Sequence, residues 1–151
     1  MNNGLFSLRV RPHECDAYGH VNNAVYLNYL ETARLELVRG IGLDYASLVR
    51  SGFGIWVAEA QLQFLVPAFP DEELLIESIP LAVKNVSLTL EHKIRKQPGD
   101  LVLLATLKLA LMNTQSGKPA RLPEVWMEGF KALSKSSNFH NPESCSTLQE
   151  F

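Results

Sequence analysis

The sequence predicts a single α+β domain in which one long amphipathic helix is followed by a run of antiparallel strands. Apolar residues recur at helical spacing from about Asn23, four later segments carry strand patterning, and Gly- or Pro-bearing turns separate several of those segments. A length of 151 residues suits one such domain and allows it a substantial core.

Residues 5–11 alternate, with Phe6, Leu8 and Val10 on one face and Ser7, Arg9 and Arg11 on the other, which predicts a first strand aimed into a polar loop. The helix comes next. Tyr26, Tyr29, Leu30, Ala33, Leu37 and Ile41 fall on one stripe, opposite Asn28, Glu31, Thr32, Glu36 and Arg39. Asn22 or Asn23 suits its N-cap, because a short amide side chain accepts a hydrogen bond from a first-turn N–H that has no helical partner. Gly40 and Gly42 offer a stop, and residues 45–50 a further short helical turn. A sheet should follow. Residues 55–66 put Trp56, Ala58, Ala60, Leu62, Phe64 and Val66 on one side, and residues 73–83 are rich in Leu and Ile. Residues 86–96 alternate most cleanly, with Val86, Leu88, Leu90, His92 and Ile94 against Ser87, Thr89, Glu91, Lys93 and Arg95. Residues 97–100 read as a hairpin connection, and residues 101–113 are apolar on both faces, as an interior strand requires. Pro67 and Pro70 break the chain after the first of these strands, and the prolines of residues 118–123 end the sheet region. Residues 124–133 suit a short closing helix. The domain is therefore 1–133, and the Ser- and Asn-rich residues 134–151, which lack periodicity, are expected to form a mobile tail.

Composition excludes several classes of function. A 46% hydrophobic and 20% charged chain with a formal net charge of −2 has no basic footprint for nucleic acid. No apolar run of about 18 residues is available to span a bilayer, and the first ten residues lack the pattern of a signal peptide, so a cytoplasmic location is expected. Cys15 and Cys145 sit in unlike contexts, which makes reduced thiols the expectation, and no Cys/His cluster has zinc spacing. Neither a metal nor an organic cofactor is expected.

The chemistry concentrates between Arg11 and Arg39, where a polar loop hands a lone carboxylate, Asp16, to the start of the long helix. Unpaired N–H groups and the positive end of the dipole at that start stabilise negative charge on an oxygen. Gly19 permits the sharp turn between the two. Asp16 on its own also fits a plain capping carboxylate. His20 titrates near neutrality when unperturbed, but a hydrogen-bonded structural role is the simpler reading, and it is given a supporting part only. Cys15 neighbours His13 and His20, yet residues 15 and 16 point opposite ways on an extended stretch, and an inert cysteine fits better than a nucleophile.

The run DAYGHVNNAVY from Asp16 to Tyr26, continued by YLETAR from Tyr29 to Arg34, resembles the signature of the hotdog-fold thioesterases of the 4-hydroxybenzoyl-CoA thioesterase type. The likeness extends over residues 5–133, through Gly42–Ala46, Val57–Phe64, Ser116–Pro119 and Leu122–Glu124. The chain departs from the pattern at Ala68–Asp71, where a glycine often precedes an acidic residue, and at Asn113, where an aspartate is common.

The resemblance implies a curved antiparallel sheet wrapped around the helix, and a homodimer or homotetramer with active sites between subunits. It implies hydrolysis of an acyl thioester, acyl-CoA or the acyl form of a carrier protein, to a free acid and a thiol. Asp16 would be general base or nucleophile and the Asn23 N–H the oxyanion donor. The matched residues Tyr18, Gly19, His20, Val21, Asn22 and Tyr26 would shape the substrate site, with Glu31 a second carboxylate near the pocket or interface. Lys84 and Ser87 would reach the phosphates or pantetheine from a partner subunit, although for an exposed lysine a solvated surface is the simpler reading. A non-catalytic acyl-thioester-binding module is the rival from another class. A hotdog dehydratase is disfavoured because its histidine and carboxylate pairing is not matched.

Overall fold

A computed structural model describes residues 4–136, and its elements follow the expected order. Strand β1 spans Leu5–Arg9, and a single 3-10 turn, Pro12–Glu14, leads into the loop. Helix α1 spans Val25–Gly40 and α2 Tyr45–Arg50, the latter capped by Asp44, whose carboxylate accepts from the Ala46 and Ser47 N–H groups at 3.2 and 3.0 Å. Strands β2 (Phe53–Phe64), β3 (Glu73–Val83), β4 (Ser87–Lys96) and β5 (Leu101–Asn113) follow, then the two-residue β6 (Lys118–Pro119) and helix α3 (Glu124–Ser136).

All strand pairs are antiparallel, in the order β1-β3-β4-β5-β2, with β6 also on β5. Alternation decides which face is dry: Leu74, Ile76, Leu88, Leu90, Ile94, Leu103 and Leu107 are buried and share one core with Tyr26, Tyr29, Leu30, Ala33, Leu37 and Val38 of α1. Trp126, Met127 and Phe130 of α3 join the same core. This is the expected hotdog fold, an α+β domain whose single long helix buries its apolar stripe in the sheet. The register also gives the sheet two ends. Arg9, Glu73, Lys96, Leu101 and Phe64 lie toward one, and Val83, Ser87, Asn113 and Phe53 toward the other.

Several expectations need correction. Helix α1 starts at Val25, with Ala24 in the formal cap position, because a tight turn precedes it: the Val25 N–H donates to the Asn22 carbonyl at 2.9 Å. Asn22 still works as a cap for that turn, its Oδ1 accepting from the Ala24 N–H at 2.9 Å. Arg34, four residues from Leu30 and thus on the same face, is buried despite its charge. In β2 the expected apolar side is largely exposed, with Trp56 and Phe64 about half accessible, and Ile55 is buried instead. A bulge between Val57 and Glu59 breaks the alternation, and β2 is an edge strand. Residues 118–119 extend the sheet beyond its expected end, and α3 continues three residues past 133. Residues 137–151, most of the expected tail, lie outside the described residues.

Candidate active site at the loop entering the long helix

The loop from Cys15 to Val21 is a miniature hairpin held by its own backbone. Cys15 and Val21 form an antiparallel bridge, the Asp16 N–H donates to the His20 carbonyl at 2.9 Å, and the Gly19 N–H returns to the Asp16 carbonyl at 3.0 Å. Gly19 sits at φ +80°, as its place in the turn requires. Two further bonds anchor the loop outside itself, Val21 N–H to the Ala68 carbonyl at 2.8 Å and Asn22 N–H to the Glu14 carbonyl at 3.0 Å.

Within this frame Asp16 is partly exposed. Its Oδ1 accepts from the Tyr18 N–H at 2.9 Å, and its Oδ2 lies 3.9 Å from His20 Nδ1. The carboxylate therefore caps its own turn while one oxygen stays clear of a close donor; the capping role does not exclude chemistry. His20 stacks on Tyr18 at 6.0 Å and meets Phe69 edge-on at 6.4 Å, which fixes its ring beside the carboxylate. Cys15 packs against the core, and burial, Glu14 and Asp16 all push its thiol up, so it is not an activated nucleophile.

A cavity of about 240 Å³ opens beside the loop, lined by His20, Val21, Asn23, Tyr26 and residues 64–67. Its walls are mostly apolar, with the Tyr26 and Phe64 rings 5.7 Å apart. Burial pushes the Tyr26 phenol up to about 12, so the ring stays neutral. Asn23 lines the cavity, and among the described residues its N–H has no backbone acceptor. Asp16 stands one step behind that wall, next to His20. A larger cavity of about 470 Å³ lies against β1 and the 3-10 turn, lined by Glu14, Tyr29 and Asp71 among others, and contains neither Asp16 nor Asn23.

The structure thus brings Asp16, Tyr18, Gly19, His20, Val21, Asn22, Asn23 and Tyr26 into one region and leaves three expected residues out of it. Glu31 is exposed on α1, 3.8 Å from Arg34. Lys84 and Ser87 form the β3–β4 hairpin, where the Lys84 N–H donates to the Ser87 carbonyl at 2.8 Å. That hairpin is separated from the Asp16 end by the length of β3, roughly 33 Å at the ordinary rise of a strand, so one chain cannot bring the groups together. Sequence reasoning missed Phe64 as a cavity wall, and missed Glu14, which accepts a hydrogen bond from Tyr29 at 2.6 Å. The sequence signalled only that a tyrosine on a buried stripe needs some partner for its hydroxyl, not which residue supplies it.

Fold and site together define a hotdog protein with an acidic loop at the head of its central helix. The sequence profile of the thioesterase-like superfamily matches residues 10–130, and the chain belongs to that family. An acyl-acyl carrier protein thioesterase of Arabidopsis thaliana, ATL3, chloroplastic, is 29% identical over 116 residues, 77% of this chain and 61% of that relative. This chain therefore spans about three-fifths of the length of the first curated relatives it matches. The acyl-CoA thioesterase YbgC of Haemophilus influenzae is 27% identical over 88% of this chain and 98% of its own. Among solved structures, the DHNA-CoA thioesterase of Staphylococcus aureus superposes with a TM-score of 0.83 at 20% identity, covering 89% of this chain and 92% of that one, a likeness of fold.

Proposed function

We propose that the protein hydrolyses acyl thioesters, acyl-CoA foremost, with Asp16 as general base and the Asn23 N–H as oxyanion donor. The observation that carries the reading is the pairing of an apolar cavity lined by Asn23, whose N–H has no backbone acceptor among the described residues, with a carboxylate that contacts the lining residue His20. The acyl group occupies the cavity and its carbonyl oxygen takes the Asn23 N–H. Water between substrate and loop attacks the carbonyl carbon while Asp16 accepts its proton; the tetrahedral intermediate then expels the thiolate as the C–S bond breaks. The set-back position of Asp16 favours this route over direct attack by the carboxylate to form a mixed anhydride, because it leaves room for water. A positioned base contributes about 10²- to 10⁴-fold and one oxyanion donor about 10²- to 10³-fold.

The site is completed by a second copy of the chain. β2 is a long edge strand with exposed Trp56, Val57 and Phe64, a surface that demands a cover. Antiparallel pairing of two β2 edges brings the partner's far end, with its Lys84 and Ser87, beside the Asp16 end, where these side chains meet the phosphates or pantetheine of CoA.

The test is thiol release from short, long and aromatic acyl-CoAs by wild type and Asp16→Asn. Release that the variant loses supports the reading; a variant as fast as wild type refutes the assignment of Asp16. The likeness to ATL3 favours a second reading, an acyl-carrier-protein substrate, and faster turnover of the same acyl group on carrier protein than on CoA would establish it.

A further inference from the structure

Glu14 holds three parts of the loop at once. Its Oε2 accepts the Tyr29 O–H at 2.6 Å and the Arg11 N–H at 2.8 Å, and its backbone carbonyl accepts the Asn22 N–H at 3.0 Å. The chain entering the loop, the chain leaving it and the second turn of α1 therefore meet on one residue, two positions before Asp16 and bonded to the neighbour of Asn23. The Tyr29 contact has the length of a charge-assisted O–H···O⁻ bond. Tyr29 is itself nearly buried, and burial and then Glu14 push its phenol up, which keeps its proton in place for donation. Its ring meets Tyr26 edge-on at 5.9 Å, and Tyr26 lines the smaller cavity.

We propose that the Glu14–Tyr29 pair is the positioning element of the site, fixing Asp16 and the Asn23 N–H relative to each other. The proposal rests on the thioester chemistry above and adds a residue pair to it. Other ties across the loop are the Cys15–Val21 bridge and the backbone bonds of its turn, which hold the hairpin's shape. Only contacts reaching α1 fix where that hairpin stands relative to the helix start, and the Glu14–Tyr29 bond is one between side chains. A base and an oxyanion donor that shift together keep their strength, whereas a shift of one against the other is costly: a displacement of about 1 Å can lower turnover by about 10²-fold. Both residues line the larger cavity, and Tyr29→Phe keeps the ring and removes only the hydroxyl.

The experiment compares wild type, Tyr29→Phe, Glu14→Gln, Glu14→Ala and Asp16→Asn on one acyl-CoA, measuring kcat and KM separately. A positioning role predicts that Tyr29→Phe and Glu14→Ala lower kcat by about 10- to 100-fold with KM changed by less than about threefold, since the loss falls on the transition state. Glu14→Gln, which keeps an acceptor for Tyr29, should recover most of that loss. If Glu14→Ala fails to fold, Tyr29→Phe and Glu14→Gln carry the same comparison. Wild-type kcat in Tyr29→Phe, with Asp16→Asn inactive, overturns the positioning role and leaves the base standing. An active Asp16→Asn overturns the base, and with it the role built on it.

Discussion

Two polar clusters in this protein have opposite surroundings. The loop cluster around Asp16 is partly exposed, borders a cavity and is stitched through short backbone bonds. The second, Arg34, Tyr45, Ser78 and His92, lies between α1, α2 and the sheet. Ser78 Oγ and His92 Nδ1 share a hydrogen bond of 2.8 Å, while Arg34 Nε, the Tyr45 hydroxyl and His92 Nε2 are buried with no partner among the described residues. Burial first and Arg34 second push His92 down to about 4, and burial pushes the Tyr45 phenol up against the opposing effect of Arg34. His92 lines neither cavity. A strong pKa shift marks desolvation, and a site for chemistry also needs access.

Each cluster should answer to a different assay. The largest effect belongs to Asp16→Asn, which should lower kcat by about 10²- to 10⁴-fold while leaving the urea midpoint close to wild type, since Asn retains an acceptor for the Tyr18 N–H. A large stability loss would make Asp16 structural and erase the contrast. His92 should show the reverse. The unfolded chain binds a proton there below about pH 6.5 and the folded chain only near 4, so its contribution is complete above 6.5 and lost as pH falls toward 4. The loss is about 3 kcal/mol, read as the difference in acid dependence of unfolding between wild type and His92→Leu. Parallel acid profiles would mean that His92 charges in the folded state. Next, Ser78→Ala should cost about 1 kcal/mol in denaturant titration at pH 7, the worth of one buried hydrogen bond, with thiol release unchanged. Smallest of all, Arg9→Met removes an exposed pair with Glu73 at 2.6 Å and should leave the urea midpoint close to wild type.

The contrast also explains what was legible in the sequence. Period-two and helical patterns report which face is dry, so β3, β4, β5 and the α1 stripe could be read directly. The loop could be read because Gly19, Asn22 and Asp16 act over a few residues, where turn chemistry is local. Arg34 escaped that reading because nothing local announces that a charge will be buried; His92 was visible on its face, but its environment is assembled from β3, β4 and α1. The β2 surface misled because a bulge resets alternation and because the outer side of an edge strand has no neighbouring strand among the described residues. Glu14 and Tyr29 are 15 residues apart, beyond the reach of a local rule.

Cys15 gives the acidic loop one more consequence. A thiolate beside a bound thioester invites transacylation, in which the protein captures the acyl group and blocks itself. Burial and the two flanking carboxylates, Glu14 and Asp16, keep that sulfur protonated and so a poor competitor with water. On the proposed function, the same two carboxylates would also protect the loop from acylation by its substrate, and alkylating reagents should modify Cys15 slowly at neutral pH.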